Sequence, residues 1–209
     1  MRISALVLSL ALACSALSAS AYAQTEPPQS ASVDLPSGEY NLDPRHASVI
    51  FRIQHMGLSW FTARFDSVDG TLTLNADDLA QSRLVASVGA DSVNTGVLNG
   101  DGQRNFDAQI GRAIGAEATP RISFTSTTIE RTGDNTGRVT GDLTMNGQTH
   151  PVTLDCTFYG GHTDILRGGM ALGFAARGSI NRRDWGVNEW SAFTGDEVTL
   201  SIEAEFVKH

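Results

Sequence analysis

Apolar and polar residues alternate with a period of two along most of the chain after residue 40. This alternation is typical of half-buried strands, because successive side chains of a strand point to opposite faces. In one such segment Val49, Phe51 and Ile53 share a face with His55. Further alternating segments cover 67–75, 82–90, 121–129, 139–145, 150–158, 169–180 and 196–207. At least eight strands separated by Gly, Asn and Asp turns predict an antiparallel sandwich or barrel.

The stretch GDLTMNGQTHPVTLDCTF, residues 141–158, predicts a hairpin with a defined register. Asn146-Gly147 is a strong turn signal, because both residues tolerate the positive φ of a type I′ turn. A two-residue turn at this point places Leu143 opposite His150. The apolar residues of both arms then share one face, as a half-buried sheet requires.

Two segments break the alternation. Residues 75–82 predict a short helical turn, and residues 102–120 carry Phe106, Ile110 and Ile114 at the i, i+4, i+8 spacing of a helix face. We therefore expect one short amphipathic helix that caps the barrel or covers a gap in its wall.

Residues 1–23 predict a secretory signal peptide. Arg2 precedes an apolar run, and Ala21 and Ala23 form an A-x-A cleavage pattern. A competing interpretation makes Cys14 the lipidated residue of a lipoprotein signal.

A linker and a single domain are predicted to follow. Residues 24–37 are rich in Pro and Ser, and residues 38–209 have the length of one domain. The net charge of −8 argues against nucleic acid or an anionic membrane surface as an electrostatic partner. Cys156 is in phase with apolar neighbours, which predicts a buried, inert thiol.

Four motifs occur in the order of a known family. GDLTMNGQTHPVTL is similar to G-x-L-T-x-x-G-x-T-x-P-V-x-L, and YNLDPRHASVIFRIQHMG is similar to Y-x-x-D-x-x-H-S-x-x-F-x-x-x-H-x-G. INRRDWGVNEW and DSVNTG are similar to x-x-R-x-D-F-G-L/M-x and x-S-I-x-T-G. From Tyr40 to Phe206, the chain resembles the YceI-like family, the polyisoprenoid-binding proteins of bacteria.

The resemblance implies an all-β fold, an antiparallel eight-stranded lipocalin-like β-barrel with one short amphipathic helix over part of it. It also implies a long apolar tunnel for an isoprenoid chain or a fatty amide or acid, and a periplasmic or secreted setting. Members are often homodimers, and no catalytic residues are established for the family. The region Gln103–Pro120 departs from the family pattern, which leaves ligand size open.

The inward phase of the strands selects the residues expected to line such a cavity. They are Phe51, Ile53, His55, Leu72, Phe124, Leu143, Leu154, Phe158, Leu172, Phe174 and Leu200. A filled core is equally compatible with their apolar character. Small inward residues favour a hollow: Gly70, Gly141, Ala86, Ala176 and Ala204.

His55, Arg182 and Trp185 are the candidates for contact with a polar headgroup. For Arg182 the alternative is a structural ion pair with the neighbouring Asp184. No two histidines have ligand spacing on one strand. We also expect no carboxylate to accompany them. We therefore expect no metal and no cofactor.

These observations predict a periplasmic protein that binds and carries or sequesters an amphiphilic isoprenoid or fatty lipid. One alternative is an enzyme that acts on a lipid-like substrate through His55 or Cys156. The motifs G-x-S-x-G and H-E-x-x-H are both absent from the sequence, so no enzyme class is indicated. A second alternative is a ligand-free interaction module with a filled interior.

Overall fold

The computed structural model describes residues 35–163 and 168–208. The predicted signal peptide, Cys14 and most of the predicted linker lie outside the described residues. The described elements are β1 (Gly38–His55), β2 (Ser59–Phe65), β3 (Val68–Leu74), a 3-10 helix (Leu79–Gln81), β4 (Arg83–Gly89), β5 (Val93–Asn94), α1 (Asn105–Ala113), β6 (Arg121–Arg131), β7 (Thr136–Met145), β8 (Gln148–Thr163), β9 (Met170–Asn181), a second 3-10 helix (Arg182–Trp185) and β10 (Thr194–Lys208).

Eight antiparallel strands form a closed barrel. In order around the wall they are β1, β3, β4, β6, β7, β8, β9 and β10, and β10 pairs with β1 to close the barrel. β2 also pairs with β1, from Val49–Phe65 to His55–Ser59, and it continues the wall beyond β3. The prediction of an antiparallel eight-stranded β-barrel with one helix is therefore confirmed.

The hairpin between β7 and β8 has the predicted register. Leu143 lies opposite His150. Asn146 (φ 49°) and Gly147 (φ 72°) both adopt the positive φ that a type I′ turn requires. The two-residue turn therefore sets which side chains of both strands point into the barrel.

The helix α1 lies across one end of the barrel. The ring of Phe106 packs edge-on against the ring of Phe61 in β2 and the ring of Trp190, with centroid distances of 5.8 and 6.4 Å. We call this end, where β1 ends and β10 begins, the helix end, and the opposite end the terminal end. As predicted, α1 is amphipathic, and Ile110 is buried. Of the helices in the described part of the chain, none is long and apolar enough to cross a bilayer.

Asp107 attaches α1 to the loop that precedes it. Its carboxylate accepts hydrogen bonds from Thr95 N at 3.0 Å and from Thr95 Oγ1 at 2.5 Å. Arg104 Nη1 donates to the same carboxylate at 3.2 Å and also to Asn94. Burial would raise the pKa of Asp107, but the hydrogen bonds from Thr95 and Arg104 outweigh burial and hold this pKa below its usual value.

The terminal end is packed around a second apolar cluster. Tyr40, Leu72, Leu172 and Phe206 are buried in this cluster, and Leu35 packs against it. Leu35 belongs to the segment predicted to be a linker, so the packed structure begins a few residues before β1.

Candidate ligand-binding cavity

The barrel encloses a cavity with a volume of about 1660 Å³. Its wall contains all eleven residues that the sequence analysis placed there: Phe51, Ile53, His55, Leu72, Phe124, Leu143, Leu154, Phe158, Leu172, Phe174 and Leu200. Phe51 and Leu200 line the cavity but are only partly buried. A hollow interior explains this, because a filled core would cover such side chains completely.

The cavity is long in the direction of the strands. Along β10 its wall includes both Thr194 and Phe206. Twelve steps of a strand correspond to roughly 40 Å. With a strand tilt typical of barrels, this is roughly 30 Å along the barrel axis. These dimensions suit an extended chain better than a compact ligand.

The small inward residues divide into two groups. Ala86, Ala176 and Ala204 line the cavity. By contrast, Gly141 lies under the ring of Phe124, and a Cβ atom at Gly141 would be 2.5 Å from Phe124 Cζ. At Gly70 a Cβ atom would be 3.6 Å from Phe206 Cε1, which is an ordinary van der Waals contact. The alanines therefore leave volume in the barrel, whereas the ring of Phe124 fills the space at Gly141.

The helix α1 forms part of the cavity wall. Phe106, Ile110, Ala113 and Ile114 all line it at the helix end. The segment Gln103–Pro120, which departs from the family pattern, therefore borders the cavity.

The two ends of the cavity differ in polarity. At the terminal end, exposed charged residues of the β6–β7 hairpin, Glu130, Arg131 and Asp134, contribute to the lining. At the helix end, the exposed aromatic residues Trp190 and Phe193 do so. Charged residues of the rim therefore lie at the terminal end, where the exposed apolar residues Leu79 and Tyr159 also line the cavity.

Arg182 is part of the cavity wall at the helix end. Its side chain is charged but buried, because the residue is only 5% exposed. Nε donates to the carbonyl of Gly195 at 2.9 Å, and Nη1 donates to those of Val187 and Glu189 at 3.0 and 2.8 Å. Nη2 has no hydrogen-bond acceptor among the described residues and lies 3.7 Å from Asp196 Oδ1. Burial lowers the pKa of Arg182, and Asp196 opposes this effect.

The carboxylate that pairs with the two arginines is Asp196, and the expected pairing with Asp184 is wrong. Arg183 Nε lies 2.6 Å from Asp196 Oδ1, the oxygen that also faces Arg182. The 3-10 helix that carries both arginines leaves Asp184 exposed, whereas β10 brings Asp196 to them from a neighbouring strand.

The other two headgroup candidates lie in different surroundings. His55 lines the cavity at the helix end and is exposed. Trp185 is 2% exposed and lies outside the lining, and its Nε1 donates to the carbonyl of Leu143 at 3.0 Å. This placement supports a packing role for Trp185. Headgroup contact by His55 and Arg182 stays a prediction.

Cys156 lines the middle of the cavity. Its Sγ lies 3.8 Å from the carbonyl of Leu154. Burial, with a smaller effect of the neighbouring Asp155, raises the pKa of the thiol to about 11. Near neutral pH the side chain is therefore protonated and a poor nucleophile.

A group that the sequence analysis missed surrounds His46. Between Leu42 and Ala47 the register of β1 against β10 shifts. In this irregular segment His46 Nδ1 lies 2.9 Å from Asp43 Oδ2 and 3.4 Å from Glu205 Oε2. The expectation that no carboxylate accompanies the histidines is therefore wrong, because Asp43 lies only three residues before His46 in the chain. The second carboxylate, Glu205, could not be found from local sequence, because it comes from the last strand.

A closed antiparallel barrel around a long apolar cavity defines the class of lipocalin-like β-barrel proteins. Within this class, the chain belongs to the YceI-like family, whose model, described as the YceI-like domain, matches residues 40–206. Protein YceI of Escherichia coli O157:H7 is 33% identical over 174 residues, which cover 82% of this chain and 88% of the relative. Protein YceI of Salmonella arizonae has the same identity and coverage.

Solved structures show the same fold. BcnA of Burkholderia cenocepacia has a TM-score of 0.65 at 21% identity, covering 78% of this chain and 98% of its own. The YceI protein of Campylobacter jejuni has a TM-score of 0.62 at 22% identity, covering 75% and 90%. A polyisoprenoid binding domain from Saccharophagus degradans has a TM-score of 0.56 at 12% identity, covering 81% and 98%.

Proposed function

We propose that this protein binds an amphiphilic isoprenoid or fatty lipid in the barrel cavity, non-covalently and without a cofactor, and carries or sequesters it in the periplasm. The observation that carries the proposal is the long apolar cavity of about 1660 Å³. This volume exceeds the roughly 300–1,000 Å³ of pockets for drug-sized ligands. Family membership supports the same function, as does the likeness to a domain named for polyisoprenoid binding.

Desolvation of the lipid chain is the driving force in this proposal. Each CH₂ group that leaves water for the apolar interior contributes about 0.8 kcal/mol. The half-buried lining side chains, such as Phe51 and Leu200, gain contacts with the chain at the same time. Tight binding then requires few polar contacts.

In the proposed orientation the headgroup lies at the helix end. Arg182 Nη2 is buried there and has no hydrogen-bond acceptor among the described residues. A carbonyl, carboxylate or phosphate oxygen is the kind of acceptor that suits it. His55, on the wall at the same end, would be a second polar contact.

Binding is favoured over catalysis and over a ligand-free interaction role. The raised pKa of Cys156 makes this thiol a weak nucleophile. The hollow interior is unnecessary for a module that acts only through its surface. A periplasmic location rests on the signal peptide predicted for residues 1–23.

The test is a titration of the purified protein with fatty amides of increasing chain length. We expect the affinity to rise about fourfold for each added CH₂ until the chain is longer than the cavity, and then to level off. Affinities that do not depend on chain length would contradict binding inside the barrel.

A further inference from the structure

The helix end of the barrel carries most of the large hydrophobic side chains that are exposed among the described residues. Ten large hydrophobic side chains are exposed in residues 35–163 and 168–208, and six of them lie on three loops at this end. We call these six residues the apolar rim: Met56, Leu58, Val97, Leu98, Trp190 and Phe193. Leu58 is 82% exposed, and Leu98 is 57% exposed. Exposed apolar side chains that cluster in this way mark an interaction site.

The apolar rim is continuous with the cavity. Met56 N donates to the carbonyl of Phe193 at 2.8 Å, and Phe193 N donates to that of Trp190 at 2.8 Å, which joins two of the three loops. Trp190 contacts Phe106 of α1. Trp190, Phe193 and Phe106 all line the cavity. An apolar path therefore leads from the exposed loops into the barrel.

Two residues of the rim, Met56 and Trp190, have a backbone conformation that is unfavourable for large side chains. Met56 has φ 51° and Trp190 has φ 55°, in the left-handed region that favours glycine. Large side chains in this region are unfavourable, and those that persist are often found at functional sites. Both side chains are also exposed, so burial in the fold does not compensate for the conformation.

We propose that the apolar rim docks this protein onto a lipid bilayer, with the helix end of the cavity facing the membrane. The proposal rests on the proposed function, because an amphiphilic lipid resides in a bilayer before it is carried. A passage lined by aromatic side chains would keep the lipid chain out of water during transfer. The terminal end, where the charged residues Glu130, Arg131 and Asp134 line the cavity, would face water.

The composition of the rim favours a bilayer over a second copy of the chain. Its residues are on loops at the barrel end, and they include a Trp, which suits the boundary between headgroups and acyl chains. A second copy seated on the rim would cover the opening through which the lipid must pass. Since the net charge is −8, docking must depend on apolar insertion rather than on attraction to anionic lipids.

The experiment is a flotation assay with phosphatidylcholine vesicles. The protein used is the chain without the predicted signal peptide, residues 1–23. We expect the protein to bind these vesicles, with a blue shift of Trp fluorescence and little change when salt is raised. The double variant Leu58→Ser/Leu98→Ser is expected to lose at least tenfold in vesicle binding. Neither residue lines the cavity. The affinity of the double variant for a soluble fatty amide should therefore stay within twofold of that of wild type.

The control variant is Val85→Ser. Val85 is exposed on β4, away from the helix end, and it does not line the cavity. This variant is expected to bind vesicles like wild type. Thermal unfolding followed by circular dichroism verifies that both variants are folded.

Several outcomes would overturn the docking proposal. The first is that wild type does not bind the vesicles. The second is that Leu58→Ser/Leu98→Ser and Val85→Ser lose vesicle binding equally. The third is that wild type binds only vesicles that contain phosphatidylglycerol, and only at low salt. Sedimentation velocity could instead show a wild-type dimer that Leu58→Ser/Leu98→Ser abolishes. That result would assign the rim to contact with a second copy of the chain. If wild type docks but binds no fatty amide, the lipid-binding function fails while the docking surface stands.

Discussion

The side chains that point into the barrel differ in the space that each leaves beside it. Ala176 opens onto the cavity, whereas Gly141 is covered by the ring of Phe124. Two residues that look alike in the sequence, both small and in phase, thus have opposite effects on the interior. The difference depends on whether a neighbouring aromatic ring occupies the space beside the residue.

This difference predicts opposite results for two enlargements. Ala176→Leu should change the free energy of unfolding by less than about 1 kcal/mol, because the added atoms extend into empty volume rather than into the packed core that usually resists them. The same variant should bind a long-chain fatty amide at least about tenfold more weakly, because its side chain occupies the ligand's space. Urea denaturation and ligand titration measure the two effects.

Gly141→Ala is the matched control. Its Cβ would collide with Phe124 Cζ and with the carbonyl of Thr125, so we expect a loss of about 1–3 kcal/mol in the free energy of unfolding. If Ala176→Leu were as destabilising as Gly141→Ala, the interior near Ala176 would be filled.

The rate at which the Cys156 thiol is alkylated reports on its burial in the cavity. With its pKa raised from 9.0 to about 11, the thiolate fraction at pH 8 is roughly 100-fold below that of an ordinary thiol. We expect alkylation by iodoacetamide to be slow at pH 8 and to accelerate about tenfold per pH unit until the pH approaches 11. A bound lipid should slow it further, since Cys156 lines the cavity.

The comparison for this reaction is the same chain unfolded in urea, in which the thiol recovers its ordinary pKa. Alkylation of the folded protein at pH 8 that is as fast as in the unfolded chain would show that the cavity does not shield Cys156. Turnover of a lipid substrate that is lost in Cys156→Ala would favour the enzyme alternative.

At the scale of elements, α1 closes part of the helix end, and Asp107 holds it there through Thr95 and Arg104. Asp107→Ala leaves the partly buried N–H and hydroxyl of Thr95 without their acceptor. We expect a loss of about 1–3 kcal/mol in the free energy of unfolding, together with faster amide hydrogen exchange in α1. Asp142→Ala, at an exposed position on β7, is the control and should change neither.

The same carboxylate gives a pH dependence. Because the folded-state pKa of Asp107 lies below its usual 3.8, this group stabilises the fold above that value. Its contribution is lost as the pH falls through the folded-state pKa. Urea unfolding at several acidic pH values should show a smaller acid-induced loss for Asp107→Ala than for wild type, and equal losses would contradict the role of Asp107.

Local sequence determines some elements and not others. The β7–β8 hairpin could be predicted residue by residue, because Asn146-Gly147 fixes the turn and the turn fixes the register. The contact of His46 with Glu205 could not, because Glu205 is contributed by β10. For the same reason sequence proximity suggested Asp184 as the partner of Arg182, whereas pairing of β9 with β10 supplies Asp196.

At the scale of the whole molecule, alternation predicted the barrel and the residues of its inner wall. It could not decide whether the wall encloses a hollow, because apolar cores and apolar pockets have the same composition. The hollow results from the combined shape of eight strands, with small alanines at several inward positions. Only the assembled fold contains this information.

Native mass spectrometry of the protein purified from its cells is the decisive test of whether the barrel holds a lipid. We expect a species heavier than the polypeptide by the mass of one amphiphilic lipid, and release of that lipid with unchanged mass on denaturation. Ala176→Leu should carry less of it. A spectrum that contains only the polypeptide, from cells in which the lipid pool is intact, would refute lipid binding in the barrel.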